Sequence, residues 1–415
     1  MVAMSLLRPF QALRPVPNAV REVAAVPYDV VNRDEAAALA WTNPKSFLHV
    51  SRAEIDLPQD TDSYSPEVYQ HAKYAFEDLI REAPLEQESE PRLYVYRLKQ
   101  GDRVQTGIAA TFSIDEYDQG KIKKHELTRK DKEDDRTRHV LTLRAQTGPV
   151  FLTYRSDPTN AEINRKIEEL TLSPPLYDFV ADDGVSHTVW IVPDSGVLES
   201  LFSRIPCLYI ADGHHRAASA SRARTELRSA NPHHTGLESY NFVLAVAFPS
   251  NQLHILPYHR VLYDLHGHTG ATLLAALERI FIVTPDASPD PKRGEFSLYI
   301  EKKWFGLRPR ESAKEAQPLD PIAALDVSHL QSQVLEPIFG IRDPRTDQRI
   351  GFVGGIRGTK ELQKLVDSGQ AKAAFSMHPT SLDELMAISD SGGIMPPKST
   401  WFEPKLRDGI VSHLI

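Results

Sequence analysis

Leu208-Tyr-Ile-Ala-Asp-Gly-His-His-Arg-Ala-Ala-Ser-Ala220 decides the reading of this chain. An apolar run, led in by Pro206 and Cys207, ends on an aspartate, a glycine and two histidines, and an alanine-rich segment follows. The pattern predicts a buried strand, a tight turn and a helix of 214–230 with Ala220, Ala223 and Leu227 on one face. Gly213 admits a backbone angle that other residues resist and lets the main chain come close to a ligand. The N–H groups that open a helix carry partial positive charge, so this corner suits an anion. Arg216 offers a bidentate contact to phosphate. Asp212 offers a carboxylate for a metal ion or for orienting a histidine. Polar groups gathered at the end of an apolar strand also match the place where open sheets bind ligands.

Two other segments carry chemistry. Lys121-Ile-Lys-Lys-His-Glu-Leu-Thr-Arg-Lys-Asp-Lys-Glu-Asp-Asp-Arg136 lies between two predicted strands and is dense in charge. His125-Glu126 opens an H-E-x-x-H pattern that fails at Arg129, which argues against a zinc peptidase. Most of the other charges read as the solvated face of a helix, with Arg136 and Arg144 as weaker phosphate candidates. Near the C-terminus, Met395-Pro-Pro-Lys-Ser-Thr-Trp-Phe-Glu-Pro-Lys405 sets Lys398, Ser399, Thr400 and Lys405 among stiffening prolines. These side chains could hold phosphate oxygens. The competing reading is a rigid tail that packs Trp401 and Phe402. No G-x-x-x-x-G-K-[ST] is present, so there is no P-loop.

The D-G-H-H-R segment at Asp212–Arg216 resembles the strand–loop–helix of the ParB/sulfiredoxin superfamily, and more closely that of the archaeal free-serine kinases. The wider chain is similar to a large bacterial family with the same signature. Its marks are Arg8-Pro9-Phe10, Pro27-Tyr28-Asp29-Val30, His125-Glu126, Asp212 to Arg216, Pro397-Lys-Ser-Thr400 and Pro404-Lys405. The resemblance implies a phosphotransferase acting on the hydroxyl of free L-serine, with ADP, ATP or pyrophosphate as donor and Mg²⁺ as cofactor. By this resemblance Glu126 is the base, His125 helps to position it, and Asp212, Gly213, His214, His215 and Arg216 handle the phosphates and the metal. A base is chemically sensible, because a serine hydroxyl is a poor nucleophile until its proton is taken. The long separation of Glu126 from Asp212 implies an insertion, placed at 157–203, that folds away from the site. The alternative is a ParB-like nucleotide-dependent switch that associates with DNA. A sulfiredoxin-like reductase would need its cysteine on the phosphate loop, whereas Cys207 stands at the start of the strand.

Composition bounds these readings. The chain has 415 residues, 48 Lys+Arg against 56 Asp+Glu, and a formal net charge of -8. At 41% hydrophobic and 25% charged it is an ordinary globular chain. The acidic balance argues against general nucleic-acid binding. A single cysteine excludes an internal disulfide and multi-cysteine metal sites. The proline-broken N-terminus does not read as a signal peptide, and the longest clear apolar stretch, 242–248, is too short for a bilayer span. The expectation is a cytoplasmic α+β protein of three parts, with oligomeric state unspecified. An N-terminal extension occupies 1–90, a ParB/sulfiredoxin-like core with mixed sheets 91–265, and a C-terminal α/β domain 266–415.

Overall fold

The computed structural model describes residues 6–82, 85–310 and 320–415. The chain forms two compact units, one of residues 1–253 with 404–415 and the other of 254–403. Both are mixtures of helix and sheet.

The first unit is built on a nine-stranded mixed sheet. In chain order its strands are β1 (Leu7–Arg8), β2 (Tyr94–Gln100), β3 (Arg103–Ser113), β4 (Ile122–Lys123), β5 (Val150–Tyr154), β6 (Tyr177–Val180), β7 (Ser186–Ile191), β8 (Leu208–Asp212) and β9 (Phe242–Pro249). Across the sheet the order is β4-β8-β5-β9-β3-β2-β7-β6, and β1 also pairs with β3. The pairs β8/β4 and β9/β5 are parallel and the rest antiparallel. Every residue of β9 is buried, as its unbroken apolar run demands of a strand covered on both faces. The β2–β3 hairpin turns at Gly101, whose φ of 59° suits glycine. Residues 157–203 add β6 and β7 at the edge opposite β4 and β8.

Three helices frame the site: α1 (Pro66–Glu82), α2 (Lys130–Leu143) and α3 (His214–Ser229). The buried face of α3 is Ala217, Ala218, Ser219, Ala220 and Ala223, small side chains that let α2 lie close. The Ser219 hydroxyl donates to the Glu133 carbonyl across that contact at 3.4 Å. α2 is not the fully solvated charged helix that its sequence suggests. Asp135, Thr137 and His139 are buried along it. The N-terminal segment supplies the cover: Val23, Phe47, Val50, Ala72, Phe76 and Leu79 form a core that also takes Leu143. The polar stretch 84–91 lies partly outside the described residues, and Leu85–Gln87 within it is a short strand paired with Leu13–Pro15. The last residues of the chain stitch back into this unit. His413–Leu414 pairs with Ala145–Gln146, and Asp408 and Ala25 exchange backbone bonds.

The second unit carries a six-stranded sheet. Its strands are β10 (Tyr258–Leu262), β11 (Phe281–Pro285), β12 (Phe296–Ile300), β13 (Lys303–Pro309), β14 (Ile350–Gly354) and β15 (Ala373–Ser376), in the order β11-β13-β12-β15-β10-β14. Every pair is antiparallel. This corrects the α/β expectation for the C-terminal third. β12 and β13 are joined by the two-residue turn Glu301–Lys302, too short for the helical crossover that a parallel pair needs.

Gly213 fixes the corner between β8 and α3. Its φ is 92°, and a Cβ there would lie 3.0 Å from the Arg216 guanidinium. Gly213→Ala is expected to lower the unfolding free energy by about 1–2 kcal/mol, read from urea midpoints. An unchanged midpoint would show that the corner relaxes freely.

Candidate active site

β8 delivers Asp212 to the end of the sheet, and the register shift between Ile210 and Asp212 marks a bulge that re-aims it. One carboxylate oxygen of Asp212 takes the Arg216 Nη2 at 2.8 Å. The other faces Lys405 Nζ at 3.4 Å. Burial opposes ionisation of this carboxyl, but Lys405 and Arg216 outweigh it and hold Asp212 well below the usual carboxylate range. Arg216 is itself nearly enclosed. Its Nη1 donates to the Pro149 carbonyl, Asp29 stands 3.8 Å from Nη2, and its buried Nε has no hydrogen-bond partner among the described residues.

The histidines form a second layer. The backbone N–H of His125 donates to His214 Nε2 at 3.4 Å, which places the proton of the neutral His214 ring on Nδ1. That Nδ1 lies 3.9 Å from Glu126 Oε2. His125 packs edge-on against His214 with ring centroids 4.4 Å apart, and neither of its buried ring nitrogens makes a hydrogen bond of good geometry among the described residues, although the Ile210 backbone lies near the ring. Burial pushes the His125 pKa down to about 4 and carries His214 well below its ordinary value, so both rings are neutral at pH 7. His215 accepts from the Arg129 backbone N–H at 3.1 Å, tying α3 to the start of α2. Glu126 stays partly exposed, its side chain 39% accessible, so solvent and small molecules reach it.

The donor atoms of His125, Glu126 and His214 lie within 4.8 Å of one another, a grouping able to hold a metal ion. Two imidazoles and a carboxylate suit borderline ions better than magnesium, which prefers oxygen. Asp212, the metal ligand expected from sequence, has a cation on each oxygen. These residues alone therefore do not build a magnesium site, and the phosphates of a ligand would have to bring the remaining oxygens.

The structure brings His125, Glu126, Asp212, Gly213, His214, His215, Arg216 and Lys405 into one region of the first unit. Arg136 adjoins that cluster, lining a small cavity together with Tyr28, Arg216 and Asp408. It pairs with Asp135 through two hydrogen bonds of 2.9 and 3.1 Å and sits 4.1 Å over the Tyr28 ring. Arg144 ends α2 in the left-handed conformation. Lys398, Ser399 and Thr400 belong to the second unit. Lys398 lies over the Tyr258 ring at 5.4 Å, and Ser399 Oγ donates to Pro396 at 2.6 Å. Trp401 and Phe402 pair with Ile255–Leu256. Asp29, Tyr28 and Asp408 surround Arg216; the first two belong to the Pro27–Val30 segment already marked in the sequence, whereas Asp408 was not singled out there.

The comparison with protein families matches residues 7–328 to the family described as "Protein of unknown function (DUF1015)". The chain belongs to the DUF1015 family. No curated protein matches this DUF1015 chain by sequence. Among solved structures it is similar to a free serine kinase in complex with AMP, at 15% identity and a TM-score of 0.37, over 73% of this chain and 91% of the other. A conserved hypothetical protein from Pyrococcus furiosus is similar at 15% identity and a TM-score of 0.36, over 74% and 95%. SbnI from Staphylococcus aureus, with a C-terminal truncation, follows at 11% and 0.37, over 72% and 84%. No helix among the described residues is long and apolar enough to cross a membrane.

Asp408 gives the site a measurable pH signature. Burial pushes its carboxyl up to about 7, with Arg216 opposing. A raised folded-state pKa means that the native state binds more protons than the unfolded chain between about pH 4 and 7, so this group's contribution falls as pH rises through that window. Asp408→Asn should therefore gain stability relative to the parent from pH 4 to 7, by on the order of a few kcal/mol, and level off above. Urea denaturation across pH measures the difference, and a pH-independent difference would contradict the assignment.

Proposed function

We propose that this DUF1015 chain is a phosphotransferase that moves a phosphoryl group onto the hydroxyl of free L-serine, with ADP, ATP or pyrophosphate as donor. The observation that carries the reading is the pairing of a reachable carboxylate, Glu126, with the β8–α3 corner through His214. The opening turn of α3 leaves its first backbone N–H groups without intrahelical partners, and they face outward from a glycine bend. Such a corner favours phosphate oxygens.

In the proposed step the serine hydroxyl attacks phosphorus as Glu126 takes its proton. A new oxygen–phosphorus bond forms while the bond to the leaving phosphate breaks, and the electron pair leaves with that phosphate. Neutral His214 donates nothing through Nε2, which is occupied by the His125 amide, and presents Nδ1–H toward Glu126. It thereby orients the carboxylate without neutralising it. Asp212 positions Lys405 and Arg216 and keeps their charge at the corner, where phosphoryl transfer depends chiefly on positioning and electrostatics. Magnesium would arrive with the donor phosphates as part of the substrate. The ParB/sulfiredoxin-like character of the core and the three-part division at 90 and 265 belong to the same proposal.

Purified chain, incubated with L-serine and each donor in turn, should yield O-phosphoserine with at least one of them. Glu126→Gln should lower kcat by about 10²–10⁴ with the fold intact, the usual worth of a general base. Phosphoserine formation unchanged in that variant would remove Glu126 from the chemistry. Nucleotide hydrolysis stimulated by DNA, with no phosphorylated acceptor, would replace this reading with the switch.

A further inference from the structure

A polar cavity of about 200 Å³ opens between the N-terminal segment and α2. Its walls include Tyr28, Ser51, Arg52, Lys132, Arg136 and His139. A smaller cavity of about 40 Å³ shares Tyr28, Ser51, Arg136 and His139 with it and extends to Arg216 and Asp408. None of the large cavity's lining residues belongs to the Asp212–Arg216 corner.

The polar atoms on these walls are not all satisfied. Ser51 is 3% exposed, and its hydroxyl has no hydrogen-bond partner among the described residues, although it lines both cavities. Arg52 Nε is likewise without a hydrogen bond of good geometry, although its nearest carboxylate, Glu54, is 2.9 Å away. A buried polar group left unpaired costs about 1–3 kcal/mol, so a ligand that satisfies it is favoured. The charges do not cancel either. Arg52 is matched by Glu54 and Arg136 by Asp135. Lys132 donates to the Tyr64 hydroxyl at 2.7 Å and has no carboxylate partner among the described residues. The cavity therefore carries one surplus positive charge beside an unsatisfied hydroxyl. A dry cavity of roughly 150 Å³ holds a six-carbon ring, so this one admits a molecule of comparable or slightly larger size.

We infer that the cavity between the N-terminal segment and α2 is a binding site for a small organic carboxylate bearing further hydroxyl or amino groups, held by Lys132 and the Ser51 hydroxyl. The carboxylate takes the surplus charge and accepts from Ser51. The other polar groups of the ligand meet Tyr64, Glu54 and Asp135 on the remaining wall. The site needs no phosphoryl donor, so it stands whether or not the chain is a phosphotransferase.

Isothermal titration of the full chain without donor tests this, with L-serine, L-aspartate, D-glycerate and inorganic phosphate as probes. At least one carboxylate should bind. Lys132→Met should weaken that binding tenfold or more and Ser51→Ala severalfold. Circular dichroism checks that each variant is folded, and Tyr64→Phe, which frees the Lys132 ammonium without removing it, should retain binding within a few-fold. The inference is overturned if no carboxylate binds, if folded Lys132→Met binds as tightly as the parent, or if inorganic phosphate binds as well as the carboxylates do.

Discussion

A partly buried carboxylate must be compensated, and in this chain Asp212 is compensated from two directions. Arg216 comes from one helical turn further along the sequence, and Lys405 comes from the segment that re-enters the first unit near the C-terminus. Losing either cation would leave the charge under-compensated, which is destabilising to the extent that the carboxylate is buried. The arrangement therefore locks the end of β8, the start of α3 and the returning tail to one another. It also sets the electrostatics of the corner: two cations are fixed beside the outward-facing amides of α3.

The histidines add direction to that charge. His214 and His125 are buried without carboxylates of their own in hydrogen-bond contact, and burial keeps them neutral. Neutral imidazoles have distinct nitrogens, and the His125 amide decides which nitrogen of His214 carries the proton. Glu126 faces the protonated side and remains open to solvent.

Much of the frame was legible in the sequence. The strands at 208–212 and 242–249 follow from unbroken apolar runs, and α1 follows from Ala72, Ala75, Phe76 and Leu79 at helical spacing. The Gly213 turn followed from glycine chemistry. Segment 157–203, expected to fold away from the site, forms strands at the opposite sheet edge. Other features were hidden for physical reasons. α2 reads as solvated because, apart from Leu143 at its end, the residues it buries are Asp135, Thr137 and His139, and polar burial has no hydrophobic signature. Pro337, which alone reads as a helix end, instead sits in the first turn of a short helix at Glu336–Phe339 that follows a π turn at Gln331–Leu335, where the missing N–H is not needed. The small cavity shared by Asp408 and Arg216, and the larger one shared by Ser51 and Lys132, join residues far apart in the chain. No local pattern announces them.

The central claim is that the bend after β8 receives phosphoryl oxygens. A crystal structure of the chain grown with a non-hydrolysable donor analogue tests it most directly. The account predicts phosphate oxygens within hydrogen-bond distance of the His214 and His215 backbone amides, with Lys405 or Arg216 alongside. Phosphates bound elsewhere in the chain, with this bend facing only solvent, would contradict it.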